Sequence, residues 1–146
     1  MAAAGNKKGF TLLEILVVVF ILGILASIVA PKIMGRTDDA KVAEAKVQIK
    51  NIETGLKLYK LDNGSYPTTE QGLQALIEQP STGQAPQHYR QGGYLEQKKL
   101  PLDPWGNSYV YTCPGTHGDF DLLSLGADGK EGGEGYDKDI TNWEMQ

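Results

Sequence analysis

The sequence predicts an α+β fold: one long N-terminal helix, its first half apolar enough to span a membrane, packed on a small antiparallel β-sheet. Three observations predict it. Phe10 to Ala30 is a continuous apolar run whose only charge is Glu14. Val42, Ala45, Ile49, Ile52, Leu56 and Tyr59 then recur at alternating spacings of three and four, a single stripe along a helix. Ser108–Thr112 and Phe120–Leu125 alternate or run apolar on either side of Pro114-Gly115-Thr116-His117-Gly118, the pattern of an antiparallel hairpin with a longer loop.

The first element is the run at residues 10–30. At about 1.5 Å per residue, a helix of that length crosses a hydrocarbon core of about 30 Å. A secretory signal has a shorter apolar region and a small-x-small cleavage site, and Ile28-Val29-Ala30 before Pro31 is a poor one. Two other readings fit: a plain membrane anchor, and a leader removed after Gly9 just ahead of the run. Lys7 and Lys8 precede the run, which orients the N-terminus to the cytoplasm and the remainder outward. A lone glutamate in such a segment is costly and by default marks function; the plainer reading is a Glu14 that snorkels to the interface or is protonated. Pro31 removes a backbone donor and disfavours helix at Ala30, and Gly23 is also a weak helix former. A helix that is continuous or gently kinked is expected in the free subunit.

The second half of the helix, residues 31–61, is amphipathic. Its stripe predicts packing on the sheet, with Lys46, Lys50, Glu53 and Lys57 elsewhere on the surface. A coiled-coil dimer is the alternative, but fewer than three full heptads are present. Asp62-Asn63-Gly64 stops the helix. A globular head, residues 62–146, follows. Thr68-Thr69-Glu70-Gln71 reads as a capping box before a short helix reaching Glu78, Pro80 to Gly93 as a surface loop, and Pro101–Asn107 as a turn with an aromatic anchor at Trp105. The segment 125–140 is rich in Gly and Asp and poor in apolar residues, so alone it lacks the means to order itself. Trp143, just beyond it, calls for burial. A solvated acidic loop is one reading. A calcium site is the other, since Ca2+ takes 6–8 oxygens from carboxylates, carbonyls and water. The spacing is not that of an EF-hand, because Gly129 and Lys130 follow Asp128.

Composition narrows the classes. The formal net charge of −4 argues against a nucleic-acid partner. With one cysteine, Cys113, no intrachain disulfide is possible, so packing or a metal must hold the head; Cys113 itself reads as a half-buried strand residue. His88 and His117 fall in loops beside no evident nucleophile. The glycine-rich 126–135 stretch lacks the Gly-Lys-Ser/Thr ending of a phosphate loop. No catalytic constellation is expected, and an enzyme is not.

Lys7-Lys8-Gly9-Phe10-Thr11-Leu12-Leu13-Glu14 resembles the class III signal of type IV pilin-like proteins. Tyr66–Leu73, Leu100–Asn107, Ser124–Gly133 and Asp139-Ile140-Thr141-Asn142-Trp143 resemble the major pseudopilins of type II secretion, nearly end to end. The resemblance implies a pseudopilin fold. It implies a leader, residues 1–9, cut by a membrane-bound prepilin peptidase between Gly9 and Phe10, with Phe10 then N-methylated. It implies that Glu14 meets the new α-amine of a neighbouring copy. That amine has a reference pKa of about 7.7–8 and is largely cationic near neutral pH, so in lipid the pairing selects register during assembly. For the loop 125–140 it implies one structural calcium ion; the expected ligands are side chains of Asp128 and of Asp139 or Asp137, the choice between the last two being open, with backbone carbonyls of Leu125 and Ala127. The expected function is that of a major structural subunit. It sits single-pass in the inner membrane with a periplasmic head and polymerises with itself, minor pseudopilins and an inner-membrane assembly platform. The pseudopilus so built drives folded proteins across the outer membrane. Local unwinding between Gly23 and Pro31 inside a filament is a further expectation of the resemblance. A type IV pilin of a surface fibre is the rival; such pilins usually close a C-terminal loop with a disulfide, which a single cysteine forbids. An anchored monomeric calcium-binding module is the second rival, and it has no need of Gly9 and Glu14 together.

Overall fold

Helix α1 runs from Leu12 to Asn63 without interruption, as expected of the free subunit. The computed structural model describes the backbone of residues 9–145, and the side chains of residues 9–27 and 37–145. Lys7 and Lys8 of the expected leader, and the side chains of Ile28–Ala30 and Pro31, lie outside the described residues. The chain divides between Thr37 and Asp38 into two units.

In the first unit the described helix is apolar on every face. Each large apolar side chain from Phe10 to Leu25 is 47–87% exposed. A helix greasy all round belongs in a core or in lipid. Among the described residues, no helix is long and apolar enough to cross a membrane; the expected anchor at residues 10–30 extends beyond the described side chains.

The second unit is the head together with the rest of α1. The stripe read from the sequence is the core: Ala45, Ile49, Ile52, Leu56 and Tyr59 are buried and Val42 packs against them. Burying each Ile or Leu contributes about 1.5–3 kcal/mol. Glu53, expected on the surface, is buried instead. Its Oε2 accepts Lys50 Nζ at 2.9 Å and its Oε1 takes the amide of Asn142 at 3.5 Å, so the ion pair and the C-terminal segment compensate its desolvation. α1 ends at Asn63 as expected; Gly64 takes φ 82° and its N–H bonds the Lys60 carbonyl at 2.7 Å.

The sheet is antiparallel, in the order β1 (Val110–Thr112), β2 (Asp121–Ser124), β3 (Ile140–Thr141). Val110 pairs with Leu123 and Thr112 with Asp121; Leu123 pairs with Thr141 and Ser124 with Ile140. The expected hairpin is present, with shorter strands. The third strand was not expected. It is held by Asn142, whose backbone N–H bonds the Leu122 carbonyl while its Oδ1 accepts the Leu122 N–H, both at 2.9 Å. Phe120, Leu122 and Tyr111 bring the sheet into the same core as the α1 stripe.

Two expectations for the connections change. Thr68 and Gln71 make the reciprocal capping-box bonds, at 3.0 and 3.2 Å. Yet Gly72 then adopts φ 60°, a left-handed step incompatible with a continuing α-helix, and only a 3-10 turn, Leu73–Leu76, follows. The surface loop at residues 80–93 also supplies an anchor: half-buried Tyr89 packs edge-on against Tyr59 and Tyr94, at 6.4 and 5.4 Å between centroids. Burial pushes the Tyr89 phenol up to about 12, and neighbouring tyrosines add to it.

Candidate functional site

Two regions carry the candidate residues. The first is the start of α1. Gly9 and Phe10 lie just outside the helix, exposed. Thr11 is the N-cap: its hydroxyl accepts the Glu14 N–H at 3.2 Å, and its carbonyl accepts the Ile15 N–H at 3.2 Å. Glu14 therefore sits in the first turn, where a carboxylate faces the positive end of the helix dipole. The Thr-x-x-Glu spacing signals this cap. Glu14 is exposed on the apolar sleeve and holds no ion pair among the described residues.

The second region is the loop after β2. Its foundation is Asp103, a buried carboxylate within the Pro101–Asn107 turn. Asp103 Oδ1 accepts the backbone N–H of Trp105 (3.1 Å) and of Asn107 (2.7 Å), an Asx-type closure of the turn. Asp103 Oδ2 accepts the Ser124 hydroxyl at 2.7 Å, and the Ser124 oxygen accepts the Gly126 N–H. One carboxylate thus ties the aromatic turn to the end of β2, where the loop departs. Sequence reasoning missed Asp103 and Ser124. The Asp-Pro-Trp-Gly-Asn run signalled a turn, but its partner lies 21 residues away.

The loop itself is ordered by its backbone. The Ala127 N–H bonds the Tyr136 carbonyl at 2.9 Å, and Gly135–Asp137 forms a 3-10 turn. Gly126, at φ 67°, approaches so closely that an added Cβ would stand 2.7 Å from the Asp137 carbonyl oxygen. Asp128 is exposed and closes a local turn, its Oδ1 accepting the Lys130 N–H at 3.1 Å. Asp137 is exposed. Asp139 differs: its Oδ2 accepts the Gly132 N–H at 3.0 Å, while its Oδ1 is buried with no hydrogen-bond partner. A buried carboxylate oxygen without a donor is costly. Among the described residues no three acidic, histidine or cysteine side chains gather into a metal-holding group. One orphaned carboxylate oxygen beside a backbone-rich loop suits a hard cation that draws mostly on carbonyl oxygens, so the residues present fit calcium.

Beyond the loop, Trp143 is half-buried, its ring stacked on His117 at 3.9 Å and 7°. His117 Nδ1 lies 3.1 Å from Asp121 Oδ2. Burial by itself would raise the Asp121 carboxyl, but N–H groups of Thr116 and His117 aimed at it outweigh that, and the net shift is downward. Cys113 is half-buried as expected but stands in the bend after β1 rather than in the strand, its N–H bonded to the Thr69 hydroxyl at 2.8 Å.

Comparison with known proteins places these features. The sequence model of the family described as type II secretion system (T2SS), protein G matches residues 32–143. That of the prokaryotic N-terminal methylation motif matches residues 5–30. The type II secretion system core protein G of Pseudomonas aeruginosa is 58% identical over 139 residues, covering 95% of this chain and 96% of the relative. That of Vibrio cholerae is 54% identical over 141 residues, covering 97% and 94%. That of Escherichia coli K12 is 50% identical over 143 residues, covering 98% and 95%. The crystal structure of the major pseudopilin from the type 2 secretion system of enterohaemorrhagic E. coli superposes with a TM-score of 0.69 at 42% identity. It covers 77% of this chain and 91% of that one.

Proposed function

The chain belongs to the type II secretion system protein G family, and on that premise we propose how its residues build a filament. It is a major pseudopilin, a structural subunit that assembles with other secretion components into a periplasmic pseudopilus anchored at the inner membrane. The pilin of a surface fibre is the reading the relatives do not favour.

Prepilin peptidase cuts between Gly9 and Phe10, and Phe10 is then N-methylated; the methylation-motif match across residues 5–30 supports this. The mature helix crosses the membrane once, N-terminus cytoplasmic and head periplasmic. An assembly platform adds copies from below, and minor pseudopilins share the filament. The observation that carries the reading is the exposed apolar sleeve of Phe10–Leu25 with Glu14 as its one charge. In lipid the Glu14 carboxylate is stabilised by the cationic α-amine of a neighbour, so a copy in the wrong register leaves a charge unpaired. Glu14→Val retains insertion and lowers filament yield and secretion; normal yield and secretion by this variant exclude the pairing. Mass spectrometry of the mature N-terminus reads the processing directly: a methylated Phe10 supports it and an intact Met1 excludes it.

Calcium is the structural ion we propose for the loop 125–140. The residues that would hold it are Asp139, through its orphaned Oδ1, and Asp128, with carbonyl oxygens of Leu125 and Ala127; Asp139 is preferred to Asp137 because it alone of the two has a buried oxygen without a donor. When bound, the ion supplies a fixed positive charge that offsets the acidic loop and staples it in place of a disulfide.

A further inference from the structure

The loop 125–140 and α1 are separate elements, yet a side-chain bond joins them. The Tyr136 hydroxyl donates to Asp39 Oδ1 at 3.1 Å, across 97 residues of sequence. Tyr136 stands in the 3-10 turn Gly135–Asp137, and its carbonyl accepts the Ala127 N–H at 2.9 Å. Its backbone is thus set by the same loop residues that would hold the ion, while its phenol reaches the helix. Asp39 is the second residue of the head unit, where α1 enters the head. A charged acceptor makes this bond stronger than a neutral one. Tyr136 is 39% exposed, so it does not stand there as a core residue.

We infer that Tyr136 is a positioning residue that passes the order of the loop to α1 at Asp39. The helix where it enters the head is then firm only when the loop is folded. This rests on the calcium reading of the loop. A subunit with an empty, loosened loop presents a loosened helix entry to its neighbours, which couples ion loading to competence for stacking.

Hydrogen–deuterium exchange on the full chain in detergent micelles tests it, with Ca2+ alone or with chelator. In the wild type, calcium removal speeds exchange in peptides covering 125–139, and by about fivefold in peptides covering 38–44, the scale expected for one hydrogen bond. In Tyr136→Phe, and separately in Asp39→Ala, the loop still responds to calcium but 38–44 does not. Asp39→Asn, which keeps an acceptor oxygen, restores the response. A general loss of stability would instead speed exchange throughout the head and would not be rescued by Asp39→Asn. If the wild-type loop responds and 38–44 does not, or if Tyr136→Phe responds like the wild type, the coupling is wrong and the calcium reading survives. If neither region responds in the wild type, the calcium reading fails and the coupling falls with it, having nothing to transmit.

Discussion

Asp139 is the residue on which the loop turns, because one of its oxygens is committed to Gly132 and the other is buried without a donor. Replacing it with Ala should abolish the calcium-dependent rise in melting temperature, whereas Asp137→Ala should retain it; calorimetry with and without chelator distinguishes the two. Asp121 carries a pH signature. Its folded pKa is depressed, so its contribution to stability is fully present above the ordinary carboxylate value of about 3.9 and is lost as pH falls through the folded value. Stability measured by denaturant titration should therefore fall below about pH 4, and Asp121→Asn should flatten that acid limb. Thr11 has a smaller role. Thr11→Ala should loosen the first turn of α1 by about 1 kcal/mol, read as faster amide exchange at Glu14.

Elements differ in how much a single side chain can do to them. The stripe of α1 is the buried face of the helix, and Leu56 is fully buried. Leu56→Ala should cost about 2–5 kcal/mol of head stability in denaturant melts, while exposed Lys57→Ala should stay within about 0.5 kcal/mol. The acidic loop fails differently, through its backbone. Gly126 combines φ 67° with a carbonyl where a Cβ would go. Gly126→Ala should destabilise the head by about 1–3 kcal/mol and weaken calcium binding in titration calorimetry. The periodic α1 stripe was readable because burial on one face of a helix leaves a 3.6-residue period. The two-residue strand β3 was not, because Ile140-Thr141 is too short to show any period and exists only through its pairing with β2, with Asn142 on Leu122 beside it. Glu53 defied its own chemistry for the same reason: Asn142 lies 89 residues away.

Across the whole molecule, the apolar sleeve, the core and the loop contribute separately to one filament subunit. If the loop binds calcium as proposed, the ion at about a hundredfold above its Kd should add about 2.7 kcal/mol to the folded head, a melting shift of about 10 °C for a domain of this size. Identical melting points with and without chelator would leave the loop held by its own hydrogen bonds. The long helix followed by a hairpin, the greasy first half of α1, the face it buries, its stop at Asp62-Asn63-Gly64 and the motif around Gly9 and Glu14 are local in the chain, and pattern alone carries them. Which acidic side chain keeps an unpaired buried oxygen, that Asp103 anchors the loop through Ser124, and that Tyr136 reaches Asp39 were decided only when distant segments met. Hydrophobic periodicity records which side of an element is dry, but a polar contact between residues far apart in sequence leaves no period to read; only the folded chain brings its two ends within hydrogen-bonding distance.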